Sequence, residues 1–195
     1  MLSRIALVLA LLTPVLHVVV LFACADNRYQ DPIAVLSQAR WGQLHTLALI
    51  LFGTAQIILA WQLGGLDRGW FWQVGRALLA LAGAGLFAVA WFFATAPMEA
   101  LQGPEANDPL WVVASLVGFA MGCLQLGFNR LSSGLARFNA VCLVLWLLLI
   151  PAILLIGVIS LGTYERSVGL VYVVWVAGLG VAVASFLQKR QAGGS

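Results

Sequence analysis

Six apolar stretches, each long enough to cross the hydrocarbon core of a bilayer, dominate this sequence. A transmembrane helix needs about 20 predominantly apolar residues. The stretches cover residues 5–24, 42–63, 77–96, 110–128, 138–160 and 167–187. The polar connectors between them are too short to form soluble domains. The pattern predicts one all-α domain over residues 1–190 with six transmembrane helices, followed by a flexible tail at 191–195.

Composition excludes a water-soluble fold of this size. Hydrophobic residues make up 63% of the chain and charged residues only 9%, whereas soluble domains are about 25% charged. Because 195 residues cannot bury so much apolar surface in a soluble core, lipid must surround much of the chain. We therefore expect a multi-pass protein of a cell membrane, with membrane lipids and not nucleic acid as partners.

The ten lysines and arginines predict which end of the bundle faces the cytoplasm. Cytoplasmic segments of membrane proteins carry an excess of these residues. If the amino terminus is inside, the cytoplasmic set is Arg4, Arg68, Arg76, Arg130, Arg137, Lys189 and Arg190. Only Arg28, Arg40 and Arg166 then remain outside. The distribution predicts that both termini are cytoplasmic.

The first apolar stretch also resembles a lipoprotein signal, since it follows "MLSR" and ends in "LFAC". Phe22, however, is bulky at a position where such signals prefer a small residue. The apolar run is also longer than the about 7–15 residues of a signal peptide's hydrophobic region. We expect this segment to be retained as the first helix.

Small residues at four-residue spacing predict where helices approach one another. In lipid, close packing replaces the hydrophobic effect as the force that joins helices. The small-residue stripes are Ala80, Ala84 and Ala88, then Ala114, Gly118 and Gly122, then Gly180 and Ala184. They predict seams within one chain, and the alternative is a homodimer or a larger membrane complex.

Polar residues within and beside the apolar stretches predict a ligand site toward the outer face. Unpaired polar groups are costly in hydrocarbon, so they are expected to point into the bundle. His45 and Gln56 lie three helical turns apart on one stripe of the second helix. The polar outer connectors add further candidates, and the predicted ligand-binding set is His17, Arg40, Trp41, His45, Gln56, Glu165 and Arg166. The alternative is that these residues form structural hydrogen bonds and a solvated loop surface.

Motifs of familiar enzymes are missing from the sequence. It contains no HExxH, P-loop or GxSxG motif and no paired carboxylates within the apolar stretches. We therefore expect neither hydrolysis nor ion pumping of a known type, and no resident metal or cofactor. The leading hypothesis is a non-enzymatic protein that binds a lipid or a small amphipathic molecule through a polar outer mouth.

Two other function classes stay open. His17 and His45 on facing helices would suit the axial ligands of a haem, which would make the chain a redox subunit. A third hypothesis is that the chain is an accessory or scaffold subunit whose helix faces bind a larger membrane complex.

Several segments resemble a bacterial and archaeal six-helix family termed domain of unknown function 998. In "YQDPIAVLSQARWGQLHTLALILFGTAQIILAWQL", Ser37 and Gly53 match a serine and a mid-helix glycine of that family. "GAGLFAVAWFFATAP" resembles its third helix, ending at Pro97, and "GTYERSVGLVYVVW" places Arg166 at an arginine before its last helix. The resemblance implies a six-helix fold in a bacterial cytoplasmic membrane, but no activity. Many members carry a histidine near the start of helix four, where this chain has "NDPLWVV".

Overall fold

The computed structural model describes residues 2–23, 42–66, 69–102, 108–152 and 161–192, and the regular secondary structure in these ranges is helical. The helices are α1 (Leu2–Ala23), α2 (Gly42–Leu63), α3 (Trp70–Thr95), α4 (Met98–Gln102), α5 (Asp108–Leu131), α6 (Ser133–Ala152) and α7 (Leu161–Ala192). All except α4 are long. The predicted all-α class is confirmed.

The six long helices pack in a closed ring. Around the ring the order is α1, α2, α3, α5, α6 and α7, with α7 returning to α1 and α2 also touching α7 across the middle. The start of α1 lies beside the end of α7, where Leu7 approaches Gly180. The hydroxyl of Thr13 in α1 donates to the Ala48 carbonyl of α2 at 3.3 Å. His45 and Glu165, each near the start of its helix, line one cavity, and Gln56 contacts Tyr172 further along the same two helices. Helices α2 and α7 therefore begin at the same end of the bundle.

Four helices of the described part are long and apolar enough to cross a bilayer: α2, α3, α5 and the Leu161–Phe186 portion of α7. Helix α6 contains a shorter apolar stretch, Ser133–Leu149. Large apolar side chains such as Trp91, Val112 and Leu148 are exposed on the outside of the bundle. An apolar exterior of this kind suits contact with acyl chains, so the chain is an all-α, multi-pass membrane protein.

The structure corrects three predicted helix starts. Helix α3 begins at Trp70 and not at residue 77, α6 at Ser133 and not at 138, and α7 at Leu161 and not at 167. In each case the helix starts before the predicted apolar stretch. The preceding residues, polar ones included, keep the backbone hydrogen bonds of the helix, and helix ends are the least certain part of a prediction. Residues 191 and 192 of the predicted tail belong to α7, whereas 153–160 and 193–195 lie outside the described residues.

Two glycines allow α2 and α3 to touch through their backbones. A Cβ atom added to Gly53 would lie 2.6 Å from the carbonyl oxygen of Gly83, and one added to Gly83 would lie 2.7 Å from that of Gly53. Neither helix can accept a side chain at this crossing. The close approach fixes the position of α2 relative to α3. This matters for the site because α2 carries His45 and Gln56 on its buried face.

The predicted small-residue seams are present only in part. Gly118 faces the Trp146 ring and Gly180 faces Leu7, so both lie at contacts within the chain. Ala84 and Ala88 are instead exposed on the outer surface of α3. Spacing alone did not distinguish the two cases, because it identifies a stripe of small residues without identifying the neighbouring helix.

Replacing Gly53 with alanine is expected to lower the free energy of unfolding by about 1–3 kcal/mol, because the new methyl group meets a backbone oxygen that only a helix shift can move. Denaturant unfolding of the purified protein in detergent measures the change. Gly122→Ala is the matched control, since a Cβ at Gly122 meets nothing within 4 Å. Equal unfolding free energies for the two variants would contradict the backbone contact.

Candidate functional site

A cavity of about 370 Å³ lies among α1, α2, α3, α5 and α7. Ligand sites in proteins are commonly concave, mostly apolar and about 300–1,000 Å³ in volume. Apolar side chains form most of the walls of this cavity, among them Leu49 and Phe52 of α2, Leu86 of α3, Val113 of α5 and Val168 of α7. The cavity has the size and lining of a small-molecule site.

Polar residues occupy one end of the cavity. His45 stands near the start of α2, and Glu165 and Arg166 stand near the start of α7. His45 is only 3% exposed and Glu165 only 5%. The imidazole ring of His45 also stacks on Phe93 of α3, with 6.4 Å between ring centroids and 20° between ring planes. An imidazole, a carboxylate and a guanidinium thus border an otherwise apolar space.

Tyr172 closes the deeper end of the cavity. Its hydroxyl donates a hydrogen bond to Oε1 of Gln56, which is fully buried in α2. The Gln56 amide nitrogen in turn donates to the Phe52 carbonyl at 3.4 Å. The Tyr172 ring packs edge-on against Phe52, with ring centroids 4.7 Å apart, and edge-on against Trp146 at 6.1 Å. These contacts hold Tyr172 in one orientation.

A second polar cluster lies one helical turn further along α7. The indole nitrogen of Trp175 donates to Oδ1 of Asn139 at 2.7 Å. The Asn139 amide nitrogen donates to the Met121 carbonyl at 3.0 Å and to Oε1 of Gln125 at 2.6 Å. Asn139 therefore ties α5, α6 and α7 together, below the cavity.

The predicted site residues fall into three groups. His45, Glu165 and Arg166 line the cavity, and the structure brings them to one end of it. Gln56 stands behind the wall, bonded to Tyr172. Arg40, Trp41 and the side chain of His17 lie outside the described residues.

The predicted surroundings of Glu165 and Arg166 were wrong. The sequence placed both in an outer connector, whereas they belong to the first turns of α7. Glu165 is buried there and does not lie on a solvated loop surface. The helix begins before these residues because its first turns pack against the bundle, with Tyr164 donating to the Leu149 carbonyl at 2.9 Å.

Sequence reasoning missed Asn139, Tyr172 and Trp175. Asn139 stood at the predicted start of the fifth helix, where a polar residue is ordinary. Tyr172 and Trp175 lie within the last apolar stretch, where nothing in the pattern distinguished them as polar contacts. The sequence nonetheless contained a signal for Asn139. A polar amide inside a long apolar helix needs a partner within the protein, and Asn139 lies inside such a helix once the helix begins at Ser133.

The haem alternative requires the side chains of His17 and His45 to face each other. His45 is placed on the cavity wall, but the side chain of His17 lies outside the described residues, so this pairing stays a prediction. Among the residues that the structure describes, no three His, Cys, Asp or Glu side chains gather into a group that would hold a metal ion.

No protein-family model matches this chain. Neither the characterised proteins nor the solved structures show a significant match to it. The resemblance to domain of unknown function 998 therefore stays a prediction.

A double-mutant cycle tests the link between Gln56 and Tyr172. For Gln56→Leu combined with Tyr172→Phe we expect a coupling free energy of about 0.6–1.7 kcal/mol, the range of hydrogen bonds between membrane helices. Unfolding of the four proteins in detergent gives the value. In the control cycle, Gln56→Leu is combined with Tyr164→Phe, whose hydroxyl bonds to a backbone carbonyl of α6. The two changes should add to within about 0.5 kcal/mol there, and a Tyr172 cycle equally additive would refute the link.

Proposed function

We propose that this protein binds an amphipathic lipid in the cavity among α1, α2, α3, α5 and α7. The supporting observation is the division of the lining into apolar walls and a polar end formed by His45, Glu165 and Arg166. An acyl chain gains little by moving from the bilayer to an apolar wall, because lipid tails are as apolar as leucine. Selective binding must therefore come from the polar end, which recognises the head of the ligand.

The charges at the polar end favour a head group that carries both signs. Glu165 supplies a carboxylate and Arg166 a guanidinium, and both line the cavity. Guanidinium groups bind phosphate through charge-assisted hydrogen bonds, and carboxylates bind ammonium groups in the same way. A zwitterionic head such as phosphoethanolamine presents a phosphate to Arg166 and an ammonium group to Glu165, whereas a head with only an anionic group is repelled by Glu165. We propose a zwitterionic phospholipid as the preferred ligand class.

The proposed placement is a six-span arrangement in a bacterial cytoplasmic membrane, with both termini in the cytoplasm. Helix α1 has 22 residues and α6 has 20, which at 1.5 Å per residue gives about 33 and 30 Å, enough to cross a hydrocarbon core. Arg130 and Arg137 stand at the end of the bundle opposite to Glu99 and Asp108. The positive-inside rule then directs the polar end of the cavity outward.

Lipid retention tests the binding proposal. Protein reconstituted in vesicles of equal phosphatidylethanolamine and phosphatidylglycerol and then gently extracted should carry phosphatidylethanolamine in native mass spectra. Ala48→Phe inserts a ring into the cavity wall and should reduce retention at least about tenfold, equivalent to about 1.4 kcal/mol. Ala88→Phe, on the exposed face of α3, is the control and should retain lipid normally.

Head-group selectivity supplies the second readout of the same experiment. Glu165→Gln removes the negative charge and should shift retention toward phosphatidylglycerol, and Arg166→Gln should reduce retention of both lipids. Unchanged elution in size-exclusion chromatography shows that each variant is folded. A lipid-free mass for the wild type, or equal retention by Ala48→Phe and Ala88→Phe, would refute the proposal.

Cysteine labelling tests the orientation. In a background in which Cys24, Cys123 and Cys142 are alanine, Ala100→Cys and Ser133→Cys place single thiols at exposed positions at opposite ends of the bundle. A membrane-impermeant maleimide should label residue 100 in intact cells and residue 133 only after permeabilisation. The reverse pattern would overturn the placement.

A further inference from the structure

A groove of about 510 Å³ runs along the outside of the bundle between α5, α6 and α7. We name it the α5–α6–α7 groove; its lining includes Ser115 and Phe119 of α5, Trp146 and Leu147 of α6, and Tyr164 of α7. Phe119 is 69% exposed and Leu147 54%. Because α5 is one of the helices suited to crossing the bilayer, these exposed side chains face acyl chains.

The groove and the cavity share one wall. Trp111, Ala114 and Val168 line both spaces. Trp146, which lines the groove, also contacts the Tyr172 ring of the cavity edge-on. A single layer of side chains therefore separates surrounding lipid from the interior space.

The construction of this wall allows it to open without moving a helix. Trp111 and Tyr164 stand at one end of it with ring centroids 5.5 Å apart. At the other end Trp146 lies against Gly118, where an added Cβ would come within 2.6 Å of the indole nitrogen. Between these aromatic residues lie Ala114 and Val168, whose small side chains line both spaces. Trp111 lines both spaces, so a rotamer change of its ring, which needs no backbone rearrangement, joins them in this proposal.

The level of the groove matches the proposed position of a lipid. Trp111 and Tyr164 lie near the starts of α5 and α7, at the same end of the bundle as Glu165 and Arg166. From Trp111 to Phe119 the groove follows α5 inward for about 12 Å at 1.5 Å per residue. A phospholipid beside the groove thus has its head at the level of the polar end and its tail along the apolar wall.

We infer that the α5–α6–α7 groove is a lateral entrance through which an acyl chain of a membrane phospholipid passes from the bilayer into the cavity. This inference rests on the proposed function. Entry from the side keeps the tail in apolar surroundings throughout, whereas entry past His45, Glu165 and Arg166 would draw it through the charged end. The head group moves along the interface while the tail passes between α5 and α7.

Exchange kinetics separate an entrance from a binding site. Ser115 lines the groove but not the cavity, and its hydroxyl donates back to the Trp111 carbonyl of its own helix at 2.9 Å. Ser115→Trp should obstruct the entrance and slow lipid exchange at least about tenfold in both directions, with equilibrium occupancy unchanged. Native mass spectra recorded at intervals after transfer into vesicles of acyl-deuterated phosphatidylethanolamine follow the replacement by isotope mass.

Two further variants complete the test. Ser185→Trp is the matched control, because Ser185 is also exposed and bonds back to its own helix, at the Val181 carbonyl, away from the groove. It should exchange lipid at the wild-type rate. Leu147→Trp obstructs the groove from α6, on the side opposite Ser115, and should reproduce the slow exchange. The test then remains valid if one of the two tryptophan variants fails to fold.

The outcomes distinguish the two proposals. If the wild type retains no phospholipid at equilibrium, the proposed function fails. If lipid is retained but Ser115→Trp and Leu147→Trp exchange it as fast as the wild type, binding stands and the lateral entrance is refuted. If the same variants lose equilibrium occupancy, the groove belongs to the binding site itself, and the entrance is again refuted.

Discussion

Two hydrogen bonds from α7, Tyr172 to Gln56 and Trp175 to Asn139, connect this helix to α2 and α6, and the cavity depends on the position they give it. Water is absent from the hydrocarbon core, so every polar group there needs a partner within the protein. The two donors lie one turn apart on α7, while their acceptors belong to α2 and α6. Satisfying both at once sets the rotation and the depth of α7 in the ring, which apolar contacts alone would leave adjustable.

The rotation of α7 also produces the polar end of the cavity. Glu165 precedes Tyr172 by two turns on nearly the same face of the helix, so the orientation that brings Tyr172 to Gln56 brings Glu165 to the cavity as well. On the other side, contact between Gly53 and Gly83 holds α2 close to α3 and keeps His45 beside Phe93. The charged end and the apolar walls thus arise from the hydrogen bonds of α7 together with the close contact between α2 and α3.

Hydropathy predicted the all-α class and the approximate positions of the long helices, because a run of apolar residues is itself the cause of membrane insertion. It misplaced the starts of α3, α6 and α7, since backbone hydrogen bonding does not stop where polarity begins. Glu165 and Arg166 were identified as candidates, but as loop residues. Asn139 was missed for the same reason, because the predicted start of its helix lay too late to place it among buried side chains.

By itself the sequence determined that lipid surrounds much of this protein and that its long segments are helices, because composition and the length of apolar runs can be taken directly from the sequence. Only the tertiary structure decided which polar groups meet, which small residues lie at seams and where the chain leaves a cavity. Helical periodicity identifies the stripe on which a residue lies, but not the helix opposite that stripe. Gln56 and Tyr172 are 116 residues apart, and only the packing of the whole ring brings an acceptor and a donor so distant in sequence within hydrogen-bonding reach.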